Sequence, residues 1–190
     1  SFINTAFNIT SSEGEIMSYL QQINAVSELL HDDDHFDVKT IEGEVTLREF
    51  IVGMLGYHPI WIKALYTIRS SFVRLLGMTQ QNIPVSTFTP QTVPFEVDKW
   101  SSFFQVYSAQ ENAYWIGTAH DEHLDAYIII AQEPLENGKS RFHVGTIVHY
   151  NNWAGPIYFN VIRPFHHLVV QSMMQAGVDY QRTQEGIQYA

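Results

Sequence analysis

The longest apolar pattern in the chain runs from Asn151 to Ala176. Its large apolar residues recur at three- and four-residue steps, which is the spacing of one face of an α-helix. They are Ile157, Val161, Phe165, Leu168, Val169, Met173 and Ala176. We therefore predict a buried helix from about Pro156 to Ala176 that ends at Gly177. Pro164 lies inside the pattern and predicts a bend, because proline removes one helical hydrogen bond.

A two-residue periodicity precedes this helix and predicts four consecutive strands. They run from Trp100 to Ala109, Ala113 to Thr118, His123 to Gln132 and Arg141 to Tyr150. The joins between them are short, so neighbouring strands are expected to be antiparallel and to form a meander. The polar tail after the helix, residues 178–190, has no strong pattern. We expect it to be loosely held or to pair with another chain, which leaves a homodimer open.

The N-terminal half is predicted to be mainly helical. Two capping-box spacings, Ser12 with Glu15 and Thr46 with Glu49, predict helices that reach about Leu30 and Leu55. The other predicted elements are a weak strand from Phe2 to Ile9, a short strand and turn from Phe36 to Val45, and a helix from His58 to Gly77 with the stripe Trp61, Leu65, Ile68, Phe72 and Leu75.

Composition excludes several classes of function. The 190 residues fit a single domain, residues 1–190, and their formal net charge is −10. Such a chain has no basic patch dense enough to neutralise several phosphates, so neither nucleic acid nor an anionic membrane is an expected partner. It has no cysteine, which excludes disulfides and thiolate chemistry. No apolar run is long enough to span a membrane, and we expect a cytoplasmic protein.

Several motifs resemble a bacterial family of proteins of unknown function. They are Trp61-Ile-Lys-Ala-Leu65, Ile68-Arg69, Val73-Arg-Leu-Leu-Gly-Met78, Asp121-Glu-His-Leu-Asp125, Asn151-Asn-Trp-Ala-Gly155 with Tyr158, and Arg163-Pro-Phe-His166. The resemblance extends from about Phe36 to Ala176. Ser70 departs from the family pattern, which tends to place an acid directly after the arginine that corresponds to Arg69. A role for an Arg-Asp pair at that place is therefore not carried over.

This family resembles a branch of the superfamily of START domains and birch-pollen allergens, which includes polyketide cyclase-like proteins. The resemblance implies an α+β helix-grip fold, in which a curved antiparallel sheet wraps around a long C-terminal helix. Members of the wider superfamily bind lipids, sterols and other apolar ligands between helix and sheet, and some catalyse cyclisation or hydration there. The resemblance implies no settled chemistry for this branch.

Asp121, His123 and Asp125 form the first candidate site. If their strand is regular, the three side chains project from one face. A carboxylate beside an imidazole can orient it as a general base, and two carboxylates with a histidine can hold a divalent metal. A structural network, in which Asp121 or Asp125 accepts backbone amides or pairs with an arginine such as Arg163, is the alternative that we favour. We predict no metal site and no cofactor.

The second candidate site is a ligand cavity beside the long helix. Arg163 and His166 lie one helical turn apart, so they share an edge. Arg163 is expected either to form a salt bridge or to bind a ligand carboxylate or phosphate bidentately. The aromatic residues predicted to line the cavity are Trp115, Tyr127 and Tyr158.

Three functions remain open from the sequence. The first is the binding of an apolar or lipid-like small molecule between the sheet and the C-terminal helix. The second is catalysis by a cyclase, hydratase or hydrolase that uses His123 with Asp121 or Asp125. The third is a structural or interaction domain whose core is filled by its own side chains.

Overall fold

The computed structural model describes residues 11–31, 33–59, 88–101 and 104–188. Its helices are α1 (Ser11–Leu20), α2 (Asn24–Leu29), α3 (Leu47–Leu55), α4 (Ala154–Val178) and α5 (Tyr180–Gln188). Its strands are β1 (His35–Gly43), β2 (Trp100–Ser101), β3 (Phe104–Gln110), β4 (Tyr114–His120), β5 (Leu124–Pro134) and β6 (Ser140–Tyr150). The strand predicted from Phe2 to Ile9 and nearly all of the helix predicted from His58 to Gly77 lie outside the described residues.

The strands form one antiparallel sheet in the order β1-β6-β5-β4-β3-β2. The meander predicted from the short joins is confirmed, and β1 completes the sheet by pairing with β6 over its whole length, from His35 opposite Val148 to Gly43 opposite Ser140. The long C-terminal helix α4 covers one face of this curved sheet. The chain therefore has the α+β helix-grip fold.

Helices lie on both faces of the sheet. The inner face, which α4 and α3 cover, includes Trp115, Ile130, Phe142 and Val144. The outer face carries Ile116, Ile129 and Ile147, and α1 and α2 cover it with Leu20, Val26 and Leu29. Adjacent strand residues point to opposite faces, so each strand contributes to two apolar layers.

The helix predicted from Ser12 to about Leu30 is interrupted, and this prediction is wrong for residues 21–23. Ile23 has an extended backbone, with φ −86° and ψ 107°, and it separates α1 from α2. The Ser27 hydroxyl donates a hydrogen bond to the Gln21 carbonyl, which has lost its helical partner. By contrast, the capping box of Thr46 and Glu49 at the start of α3 is confirmed.

The end of the chain also differs from the prediction. The long helix continues through Gly177 to Val178, and the tail forms α5 rather than an irregular segment. Asp179 joins the two helices: its carbonyl accepts hydrogen bonds from the backbone and hydroxyl of Thr183. The Gln181 amide donates to Glu49, which holds α5 against α3.

The predicted buried side of α4 is right at its C-terminal end, where Met173 is buried and Val169 packs on the core, and wrong for its first half. The residues of α4 that face the sheet include Tyr158, Phe159, Val170, Met173 and Met174, whereas Ile157, Val161, Phe165 and Leu168 are 46%, 46%, 47% and 54% exposed. Two glycines explain the choice of side. A Cβ on Gly155 would lie 2.5 Å from the His123 carbonyl oxygen, and one on Gly177 would lie 2.7 Å from the Phe50 ring. Only glycine permits so close an approach on this side.

Candidate functional site

Helix α4 runs alongside β1, in the same direction. The ring of Phe159 packs on His35 with the centroids 4.7 Å apart, and His167 Nδ1 lies 3.2 Å from Asp37 Oδ2. Near the C-terminal end of both elements, Val178 lies against Gly43. One flank of α4, which carries Arg163 and His167, therefore faces β1.

The opposite flank of α4 is apolar and exposed. Ile157, Val161, Phe165 and Leu168 follow one another at helical spacing, and we call them the apolar flank. Val161 lies two positions before Arg163, and Phe165 lies two positions before His167. Two positions correspond to more than half a turn around the helix. The apolar flank therefore points away from β1.

The part of the inner face beyond α4 carries small residues. Ala119 of β4 lies opposite Ala126 of β5, and Gly117 lies opposite Ile128. Both alanines are only half-buried, although they belong to the apolar surface between the clusters under α3 and under the start of α4. We use the term apolar groove for the region defined by the apolar flank, Ala119 and Ala126.

The other end of the inner face, under α3, is filled by side chains of the chain itself. Phe50, Trp115 and Phe142 are fully buried, and the rings of Phe50 and Phe142 stack with their centroids 4.1 Å apart. The indole of Trp115 donates to the Pro94 carbonyl. Trp115 is thus a core residue, and the structure does not place it in the groove where the sequence analysis expected it.

The other residues predicted to bind a ligand are not gathered around one space. Tyr127 projects from the outer face, because it pairs with Thr118 and Ile147 of that face. Tyr158 is 3% exposed and packs with Leu124 and Val148 under the start of α4. Arg163 lies on the side of α4 that faces β1, and His166 lies on the side that faces the sheet. None of these four belongs to the apolar flank.

A polar seam joins α4 to β1 and β6; we define it by His35, Asp37, Thr146, His166 and His167. His166 Nε2 is 3.1 Å from the Thr146 hydroxyl. Burial lowers the pKa of His166 to about 4, so its imidazole is neutral at pH 7. Burial, followed by the positive charge of Arg163, lowers the pKa of His35 as well.

The predicted trio Asp121, His123 and Asp125 is dispersed. Strand β5 begins only at Leu124, so the expectation that the three side chains share one face of a regular strand is wrong. Asp121 Oδ1 accepts the Glu122 amide. His123, 9% exposed, has Nδ1 3.0 Å from Oδ1 and 2.8 Å from Nδ2 of Asn152.

Asp125 is bound on the outer face instead, 2.8 Å from Nδ1 of His120. It lies across the sheet from α4, so it is not the salt-bridge partner of Arg163 that the sequence analysis favoured. The partner that Asp125 does have, His120, was not predicted. The position of His120 in β4 could have indicated this pairing. His120 lies two residues after Thr118, so the side chains of His120 and Thr118 point to the same face of the sheet as Asp125.

A comparison with families of known sequences assigns the chain to one of them. A family model described as "Protein of unknown function (DUF2867)" matches residues 29–173, which is more than half of the chain. The chain belongs to this family. The predicted resemblance to a family of proteins of unknown function is thereby confirmed.

A comparison with solved structures gives two similar chains. The crystal structure of Ara h 8.0201 is 11% identical, covers 76% of this chain and 98% of its own, and superposes with a TM-score of 0.39. A hypothetical protein from Helicobacter pylori, jhp0584, is 12% identical, covers 79% of this chain and 89% of its own, and superposes with a TM-score of 0.42. At these values neither likeness bears on function.

Among curated proteins, no sequence matches this one. Within the described part of the chain, no helix has the length and apolarity needed to cross a membrane. The same part contains no group of three histidine, aspartate or glutamate side chains placed to bind a metal ion.

Proposed function

We propose that this protein binds an apolar or lipid-like small molecule in the apolar groove. The observation that carries the proposal is the apolar flank, in which Ile157, Val161, Phe165 and Leu168 are between 46% and 54% exposed beside the half-buried Ala119 and Ala126. Exposed apolar patches of this kind mark binding sites when they are contiguous.

Two features favour a small molecule over a second copy of the chain. The apolar flank lies beside the half-buried alanines of the sheet, and we infer that helix and sheet together form a concave site of the size of a small molecule. The chain also carries a net charge of −10, and the mutual repulsion of like-charged copies opposes self-association.

The exposed area is large enough for measurable affinity. Full burial of one such side chain contributes about 1.5–3 kcal/mol, so covering the exposed half of one contributes about 1 kcal/mol. Four side chains together supply about 4 kcal/mol of apolar contact from the helix alone. The sheet adds to this, and the costs of association subtract from it.

The first experiment is native mass spectrometry of the purified protein, followed by denaturation and identification of any small molecule released. The second is titration with N-phenyl-1-naphthylamine, a neutral apolar fluorophore that the acidic chain does not repel. We expect one saturable site per chain.

Variants of the groove then locate that site. Phe165→Gln and Leu168→Gln are each expected to weaken the probe about fivefold, which corresponds to a loss of about 1 kcal/mol. Val97→Gln is the matched control, because Val97 is 59% exposed and lies outside the groove. Unchanged probe affinity in both groove variants would refute the proposal. If the same variants instead convert a dimer to a monomer in sedimentation, the apolar flank is an interface between copies.

The other two functions have less support. For catalysis by His123 with Asp121 or Asp125, the contacts of His123 with Asn152 and of Asp125 with His120 give no support. A structural domain with a filled core would fit the α3 end of the inner face. It would not account for the exposed apolar side chains of the groove.

A further inference from the structure

The outer face of the sheet carries a polar constellation at the end of the β4–β5 hairpin. His120 pairs with Asp125 across the two strands, and Thr118 pairs with Tyr127. All four side chains share the face of Ile116 and Ile129, because residues two apart on a strand point the same way. The groove lies on the opposite face, so this constellation is independent of the proposed binding site.

Three of these residues are linked in a chain of contacts. Asp125 Oδ1 lies 2.8 Å from His120 Nδ1, and His120 Nε2 lies 3.3 Å from the Thr118 hydroxyl oxygen. A carboxylate only accepts hydrogen bonds, so His120 carries its proton on Nδ1 when it is neutral. The lone pair of Nε2 then faces Thr118, whose hydroxyl donates to it. A hydroxyl, a base and a carboxylate that orients the base form the arrangement that activates an oxygen nucleophile.

Two neighbours complete the arrangement. The Asn151 amide donates to Asp125 Oδ1 over 3.3 Å, which fixes the carboxylate. The Tyr127 ring meets the edge of His120 with the centroids 6.3 Å apart, and its hydroxyl bonds to Thr118. Burial and the charge of Asp125 raise the pKa of Tyr127, so its phenol stays protonated and can donate a hydrogen bond.

The constellation is open on the side of the histidine. The side chain of His120 is 57% exposed and that of Asp125 28% exposed, whereas Thr118 is 4% exposed. The exposed imidazole is the side from which a substrate would enter, and the burial of Thr118 would admit only a small acyl group to its oxygen.

We propose that Thr118, His120 and Asp125 form a nucleophilic site for acyl transfer from small carboxylic esters. The Thr118 oxygen attacks the ester carbonyl carbon, and its proton moves to His120 Nε2. The Tyr127 hydroxyl donates to the oxyanion that forms. The bond from carbon to the leaving alcohol then breaks, and the departing oxygen takes the proton from His120. Water, deprotonated by the same imidazole, hydrolyses the threonine ester and restores the free hydroxyl.

The test is incubation of the full chain with p-nitrophenyl acetate and, separately, with a fluorophosphonate. Release of p-nitrophenol is followed by absorbance, and the modified residue is located by tandem mass spectrometry. We expect a single adduct on Thr118. Thr118→Ser should retain it, and Thr118→Val should abolish it. His120→Gln and Asp125→Asn should each slow acylation by at least about 100-fold.

Thr146→Val is the matched control, because Thr146 is a second buried threonine beside a histidine and lies on the inner face. It should react like the unmodified chain. The proposal is overturned if the adduct lies elsewhere, if the unmodified chain reacts no faster than Thr118→Val, or if His120→Gln leaves the rate unchanged. His120 is exposed, so that last variant decides the question even if Thr118→Val fails to fold.

Discussion

His166 makes the stability of this fold depend on pH in a defined way. Its imidazole is partly buried between α4 and the sheet, against Thr146, and this burial lowers its pKa from 6.5 to about 4. The unfolded chain therefore takes up the proton more readily than the native protein does. The contribution to stability is present above pH 6.5 and is lost as the pH falls through the window down to the folded pKa.

The pKa difference sets the magnitude. Each unit corresponds to about 1.4 kcal/mol, so we expect a loss of about 3 kcal/mol between pH 7 and pH 4 from this residue alone. The variant that removes it is His166→Leu combined with Thr146→Val, because replacing both partners leaves no unpaired hydroxyl. Other acid-sensitive groups remain in both proteins and cancel in the comparison.

The assay is urea unfolding at pH 7, 5.5 and 4. We expect the unmodified protein to lose about 3 kcal/mol more than the double variant across this range. His31→Gln serves as the control, because His31 is exposed at the end of α2, and it should follow the unmodified protein. Parallel pH profiles for the unmodified protein and the double variant would show that His166 is not held neutral by burial.

Three further substitutions test the packing around α3, each by urea unfolding at pH 7. Gly177→Ala should destabilise the protein by about 1–3 kcal/mol although alanine favours helices, because the new Cβ would lie 2.7 Å from the Phe50 ring; a gain in stability would contradict this close approach. Thr46→Ala should cost about 1 kcal/mol through the lost helix cap, and an unchanged midpoint would argue against the capping box. Arg48→Lys should lower the stability, because a lysine ammonium cannot reproduce the forked contact of the guanidinium with Glu111. Stability equal to that of the unmodified protein would show that a positive charge at this position is enough.

The strands were predictable because their signals are local. The two-residue periodicity from Trp100 to Tyr150 identifies segments whose alternate residues face two different environments, which is typical of strands. The joins between these segments are too short for a parallel connection, so neighbouring strands pair antiparallel. The cap of Thr46 is likewise complete within four residues.

The side chains that meet at the candidate sites could not be predicted in the same way. A shift of one position at the start of a strand reverses the face of every following side chain. Strand β5 begins at Leu124, so Asp125 lies on the outer face with His120, and His123 remains in the turn beside Asn152. Their pairing depends on register between strands rather than on spacing along the chain.

By itself, the sequence determined the meander of consecutive strands and the length of the main helix to within a few residues, since both depend on periodicity along the chain. The helix-grip fold was expected from the resemblance of its motifs to a known family. Tertiary structure alone decided which side of α4 is buried. Two apolar stripes overlap on that helix, and the stripe with the clearer spacing, Ile157 to Leu168, is the exposed one. The choice depends on how closely two backbones approach at Gly155 and Gly177, which is a property of packing and not of helical periodicity.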